Sequence, residues 1–126
     1  GSKAVYLFMH HPPFNIGIPY LDRMSLRLRE DAQRIQQIVS NFSNIKHLFF
    51  GHVHRPVSGS WHGIPFTTLR GTNHQIQFDL DAEDYLPYSH EPPAYCVIFL
   101  EQEQTTVHFQ DYLDNSLYMK MPLTLT

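Results

Sequence analysis

Residues 45–56 read Ile45-Lys46-His47-Leu48-Phe49-Phe50-Gly51-His52-Val53-His54-Arg55-Pro56, an apolar-rich run that halts at a glycine and is followed by two histidines one residue apart. A matching run lies upstream, Lys3-Ala4-Val5-Tyr6-Leu7-Phe8-Met9, halted by His10-His11-Pro12-Pro13. The earlier run predicts a strand buried on both faces, ended by prolines that cannot extend a ladder. The later run predicts a second strand, closed by Gly51. Between them comes a loop with Gly17 and Pro19, then Ser25 as a helix N-cap. Leu28, Ala32, Ile35, Val39 and Phe42 recur at spacings of four and three, the apolar stripe of an amphipathic helix of about four turns. Arg27, Arg29, Glu30, Arg34 and Gln37 fall off the stripe and face water, and Asn41 to Asn44 end the helix. Strand, helix, strand predicts a βαβ unit with a parallel pair.

Downstream of residue 56 the pattern changes. Val57 to Trp61 and Ile64 to Leu69 flank His62-Gly63, which predicts a hairpin with a two-residue turn. Pro65 assigns its strand to a sheet edge, or itself to the strand's start. Residues 79–93 are acidic and carry prolines, and read as a surface loop or lid. Ala94 to Leu100 and Thr105 to Tyr112 predict a second hairpin around Glu101-Gln102-Glu103-Gln104. The fold class is therefore α/β, a βαβ unit followed by antiparallel hairpins. No internal repeat or low-complexity tract interrupts it.

Composition narrows the function. The 126 residues suit one domain at most. A net charge of −3 without any Lys/Arg block argues against a grip on a nucleic-acid polymer. The longest apolar runs fall far short of the ~20 residues that cross a bilayer, so no membrane span is expected. A single cysteine, Cys96, excludes an intrachain disulfide and makes a cytoplasmic setting the default expectation. Charged residues amount to 17%, against ~25% in an average soluble domain. A chain so short of solvating groups is expected to hide part of its surface against a partner or a missing piece of itself. Gly1-Ser2 reads as a cloning scar, and residues 3–126 as a piece cut from a larger domain.

Three of the nine histidines share one structural address. His10 ends the first strand, and His52 and His54 follow the second across Gly51. Parallel strands end on the same sheet edge, where open α/β sheets place their ligands. With an extended backbone, His52 and His54 face one point. Three neutral imidazoles at that edge suit a transition metal. The same positions also suit ordinary hydrogen-bonded histidines at strand ends. Other chemistry is excluded more firmly. Neither G-x-x-x-x-G-K-S/T nor G-x-G-x-x-G occurs. The Asp79-x-Asp81-x-Glu83 stretch has Asp84 where a calcium loop needs glycine and His90 where it needs glutamate. Cys96 reads as an inert core thiol, and Ser58 and Ser60 lack a nucleophile-elbow setting.

His10-His11-Pro12-Pro13 and Gly51-His52-Val53-His54, each after a strand and with a helix between, resemble the last two motifs of the calcineurin-like metallophosphoesterase superfamily. Within it, Gly51-His52-Val53-His54-Arg55-Pro56, the later Gly63-Ile64-Pro65 and the leader Met9-His10-His11-Pro12-Pro13-Phe14 are similar to bacterial cyclic-nucleotide and glycerophosphodiester phosphodiesterases. The resemblance covers residues 3–76 well and the final hairpin loosely. It implies the C-terminal half of a β-sandwich flanked by helices, and a parent enzyme that hydrolyses small phosphodiesters at a binuclear centre of Fe, Mn, Co or Zn. It implies His10 and His52 as ligands of one metal and His54 of the other, with His11 orienting them from behind. The family's earlier motifs, D-x-H, G-D-x-x-D and G-N-H-D/E, are absent. The piece alone is therefore expected to be inactive, to hold metal partially at most, and either to need its missing N-terminal half or to self-associate through the uncovered sheet face. Asn73 and His74, after the strand that returns toward the metal edge, are candidates to stand next to substrate. The alternative is a non-catalytic metal-binding or interaction module built on a three-histidine site.

Overall fold

A computed structural model describes residues 3–25 and 29–112. Strands β1 (Val5–Met9), β2 (Ile45–Phe50), β3 (Ser58–Trp61) and β4 (Ile64–Thr68) form one sheet in the order β1-β2-β4-β3. β1 and β2 run parallel, with Leu7 beside Leu48 and Met9 beside Phe50, so the βαβ expectation holds. β4 also runs parallel to β2, from Leu48 opposite Phe66 to Phe50 opposite Thr68. That second parallel pair was not anticipated.

Between β1 and β2 the chain makes two helices, α1 (Pro19–Ser25) and α2 (Arg29–Ser40). The segment read as a loop at Gly17 and Pro19 is in fact a helix start. Proline suits the first helical position because its missing N–H would be unpaired there. The Asp22 carboxylate accepts hydrogen bonds from the backbone N–H groups of Ile16 and Gly17, at 2.7 and 2.9 Å, tying down the approach. In α2 the expected stripe holds at Ala32, Ile35 and Val39; Leu28 lies outside the described residues, and Phe42 falls beyond the helix, 54% exposed.

Val39, Ile45, Leu48, Phe50 and Phe66 form the main core, between α2 and one face of the sheet. Among the described residues β1 stands at the edge of its sheet, and Phe8 on one of its faces is 67% exposed, so the strand is not buried on both faces. Phe8 stacks on Phe49 of the next strand at 4.8 Å, which covers only one face of its ring. The β3–β4 turn has both central residues at positive φ, His62 at 50° and Gly63 at 79°. These are the signs of a type I′ turn, whose twist matches the strands. β4 is an inner strand, yet Pro65 is tolerated at its start, because pairing to β2 begins one residue later at Phe66.

β5 (Gln75–Ile76) and β6 (Tyr88–Ser89) form a short antiparallel pair. Residues 79–93 are thus partly structured, with Ala82 and Pro87 buried and Tyr88-Ser89 in a strand. β7 (Ala94–Leu100) and β8 (Thr105–Asp111) form the final hairpin in full register. No helix among the described residues is long and apolar enough to cross a membrane.

Candidate metal centre

The parallel pairing of β1, β2 and β4 brings three strand ends to one edge. The Gly51 N–H donates to the Met9 carbonyl at 3.2 Å, so the ladder runs one residue past β2 and holds the two exits side by side. A Cβ on Gly51 would lie 3.1 Å from Nδ1 of His10, so glycine lets that ring lie close against the backbone.

Beyond Gly51 the backbone is not extended. His52 has φ 63° and His54 φ 51°, and the Val53 N–H reaches back to the Gly51 carbonyl at 2.6 Å. This tight turn buries Val53 completely against Ile18, Leu21 and Ile76. Left-handed backbone at a non-glycine residue costs about 1–3 kcal/mol, and histidine tolerates it better than most. Burial of Val53 helps to offset that cost.

The turn sends the two histidines to different neighbours. Donor atoms of His10, His11 and His52 all lie within 4.8 Å of one another. The His11 and His52 ring centroids are 4.3 Å apart, and those of His10 and His52 5.4 Å. His54 is not in this trio. Its Nδ1–H donates to the His74 carbonyl at 2.7 Å and its ring lies 4.3 Å from that of His74. Such a bond fixes the tautomer and leaves Nε2 with its lone pair free. His54 is still near enough for its charge to disfavour protonation of His52.

The trio suits a metal ion chemically. Two nitrogens bonded to one ion at ~2.1 Å lie no more than about 4.2 Å apart, so small ring rotations close the present spacing. Nε2 of His52 is buried and has no hydrogen-bond partner among the described residues. Burial lowers the pKa of His52, and His11, His10 and His54 add to the effect. Burial, with His10 beside it, lowers that of His11 too. Both shifts favour the neutral imidazole, the form that binds metal. His11, read from sequence as a residue behind the ligands, offers a donor within the trio; its place directly after His10 was the available signal.

β4, the second strand of the hairpin, ends at the same edge because it runs parallel to β2. Gln75, fully buried, clamps the loop by accepting from the Gly71 N–H and donating to the Gly71 carbonyl, both at 2.8 Å. This holds His74 where its carbonyl meets His54, while Asn73 is exposed one residue earlier. A Cβ on Gly71 would come within 2.8 Å of Nδ1 of His54. His74 also stacks on Tyr88, at 5.0 Å and 15°. Gln75 and Tyr88 were missed, for two-residue strands leave no periodicity to read.

Arg55 and Arg70, the cations nearest this edge in sequence, are engaged elsewhere. Arg55 donates to the Ile76 carbonyl at 2.8 Å and lies 3.5 Å from Glu91. Arg70 pairs with Asp111 at 2.9 Å and with Glu91 at 3.8 Å.

No protein-family model matches the chain. Among curated proteins it is 42% identical over 107 residues to a probable cyclic nucleotide phosphodiesterase of Rhodopseudomonas palustris, an alignment that takes in 85% of this chain and 38% of the relative. It is 30% identical over 112 residues to the probable glycerophosphodiester phosphodiesterase GpdQ of Arcobacter nitrofigilis, covering 89% of this chain and 40% of that protein. A 3′,5′-cyclic adenosine monophosphate phosphodiesterase, CpdA of Vibrio vulnificus, is 30% identical over 84 residues, 67% of this chain and 29% of its own length. The chain thus spans about two fifths or less of the length of these relatives. With its mixed α/β fold and its two strand-end histidine motifs, the chain belongs to the calcineurin-like metallophosphoesterase superfamily, and the relatives it matches there are named as bacterial phosphodiesterases.

Proposed function

We propose that this chain is the carboxyl-terminal part of a binuclear, metal-dependent phosphodiesterase that hydrolyses small diesters of the cyclic-nucleotide or glycerophosphodiester type. The supporting observation is the convergence of His10, His11 and His52 donor atoms within 4.8 Å at the edge where the parallel strands end. In this reading His10 and His52 hold one divalent cation (Fe, Mn, Co or Zn) and His54 the second, with the other ligands supplied by the rest of the parent. Two such cations, when held there, would supply a water of lowered pKa and positive charge for both the attacking and the leaving oxygen of an in-line displacement. The chain's own residues prepare that site. Burial favours the neutral form of His52. The His74 carbonyl takes the Nδ1–H of His54, so that Nε2 is the nitrogen left to bind a metal. Asn73 and His74 stand beside the substrate, and His11 supports the first cation. With three of the ligands and none of the upstream motifs, the isolated chain is inactive. The cytoplasmic setting expected from the cysteine content belongs to the same proposal.

The test is made in the parent enzyme, with a cyclic nucleotide and a glycerophosphodiester as substrates. His54→Ala should lower kcat/KM by about 100-fold, the upper range for loss of a residue that governs metal binding. His62→Ala, in the β3–β4 turn, should change it little. Equal losses in the two variants contradict the ligand assignment, and no hydrolysis of either substrate contradicts the reading. A second reading draws on the trio itself, a set of three imidazoles that could serve one ion in a non-catalytic module. One bound ion per parent chain after dialysis against manganese or zinc favours that reading, and two favour the first.

A further inference from the structure

His54 lies outside any strand, on left-handed backbone, so its ring is placed by what it rests against. That support is the segment from Gly71 to Ile76. The Nδ1–H of His54 donates to the His74 carbonyl at 2.7 Å, and Nδ1 lies 2.8 Å from where a β-carbon on Gly71 would be. The next residue is tied to the same segment, Arg55 donating to the Ile76 carbonyl at 2.8 Å. Ile76 shares one buried cluster with Val53, Ile18 and Leu21, so the 52–54 turn and β5 are packed as a unit.

One side chain gives that segment its shape. Gln75 is 0% exposed, and its amide engages both backbone groups of Gly71 at 2.8 Å, closing the chain from 71 to 75 into a ring. Pairing with Ser89 across β5–β6 fixes Gln75 itself. A carboxamide suits the task because it carries an acceptor and a donor side by side, matching the N–H and C=O it meets. Without it the Gly71 groups must find other partners, and nothing then keeps the His74 carbonyl on His54. His10 is seated by other means, through the Gly51–Met9 ladder bond and the bare face of Gly51. The His10–His52 and His54 positions therefore have separate supports.

We infer that Gln75 is a positioning residue for the second cation alone: by clamping Gly71 it holds the His74 carbonyl against Nδ1 of His54 and so presents Nε2 as the ligand atom. This rests on the binuclear reading and assigns a buried, uncharged residue to one of its two ions. The bond made by one imidazole nitrogen decides which nitrogen carries the proton. Released from the carbonyl, the His54 ring would populate both tautomers, and a cation could bind at Nε2 only in one of them.

The experiment uses the metal-free parent enzyme, titrated with manganese by calorimetry. Two binding steps are expected, and the one that His54→Ala abolishes belongs to the second cation. Gln75→Met, similar in length but unable to make either bond, should weaken that step by about 10- to 100-fold and leave the other unchanged. An unchanged second step overturns the inference. Loss of both steps overturns it too, since Gln75 would then support the fold rather than His54. Imidazole nitrogen-15 shifts of the metal-free natural enzyme give a check without any variant at Gln75. The proton of His54 should sit on Nδ1, and in Gln75→Met both tautomers should appear; a proton on Nε2 in the natural enzyme overturns the inference. Uptake of a single ion by the natural parent would instead bring down the binuclear reading.

Discussion

At residue scale the site is arranged by backbone close approach more than by side-chain bonds. Gly71 illustrates this, since the His54 ring and the His74 carbonyl both sit where a β-carbon would be, at 2.8 and 3.0 Å. Gly71→Ala should therefore displace the His54 ring and cost about 1–3 kcal/mol of stability, the usual range for overpacking. Gly17 is the control: it has open space around it but φ at 84°, so Gly17→Ala should cost about 1 kcal/mol from backbone strain alone. Denaturant titration of both variants, with calorimetric metal titration of the parent, separates the effects. Weaker metal binding in Gly71→Ala but not in Gly17→Ala is the expected result. Equal binding in both would show that the glycine does not position His54.

At the scale of elements, β2 and β4 are joined by more than their ladder. His47 and Thr67 share a buried hydrogen bond from Nε2 to Oγ1 at 2.8 Å, and the His47 ring stacks on Phe49 at 4.4 Å. Burial lowers the pKa of His47 below its ordinary 6.5. The unfolded chain then binds the proton more readily than the folded one, so stability is full above about pH 6.5 and falls as pH drops toward the folded pKa. His11 and His52 contribute in the same sense. His47→Phe should therefore flatten part of the slope of stability against pH between 7.5 and 5, measured by urea unfolding. An unchanged slope would mean that His47 does not titrate on folding. The elements differed in how far they could be read. The β7–β8 hairpin and the β3–β4 turn were legible because long alternating strands and a glycine turn leave marks over several residues. α1 was not, because seven residues started by a proline resemble a loop. The 52–54 turn was not, because nothing local in Gly-His-Val-His distinguishes an extended exit from a left-handed one. That choice comes from the burial of Val53, a tertiary effect. It also decides which imidazoles meet, so the approach of His10 to His52 was legible from the parallel strand ends and the parting of His54 from them was not.

At the scale of the whole molecule, the shortage of charge goes with apolar side chains exposed on the first sheet and on both faces of the final hairpin. β1 alternates, with Val5, Leu7 and Met9 packed against the main core and Phe8 on the opposite face, 67% exposed. The final hairpin exposes Tyr95, Val97 and Phe99 on one face and Phe109 on the other, at 42–54% exposure, and its tip meets β1 through Tyr6 and Thr105, whose hydroxyls are 3.2 Å apart. Scattered exposed hydrophobics are ordinary, but a sheet edge and a hairpin that both expose aromatic side chains favour association with another apolar surface. A two-stranded hairpin also draws little stability from its own pairing and depends on what packs over it. The chain by itself should therefore self-associate at micromolar to millimolar concentrations, and sedimentation velocity across a dilution series should show mass rising with concentration. Phe8→Lys and Phe99→Lys together should shift the distribution to monomer without loss of helical and strand content by circular dichroism. A monodisperse monomer of the unsubstituted chain at high concentration, with high thermal stability, would mean that this surface needs no cover.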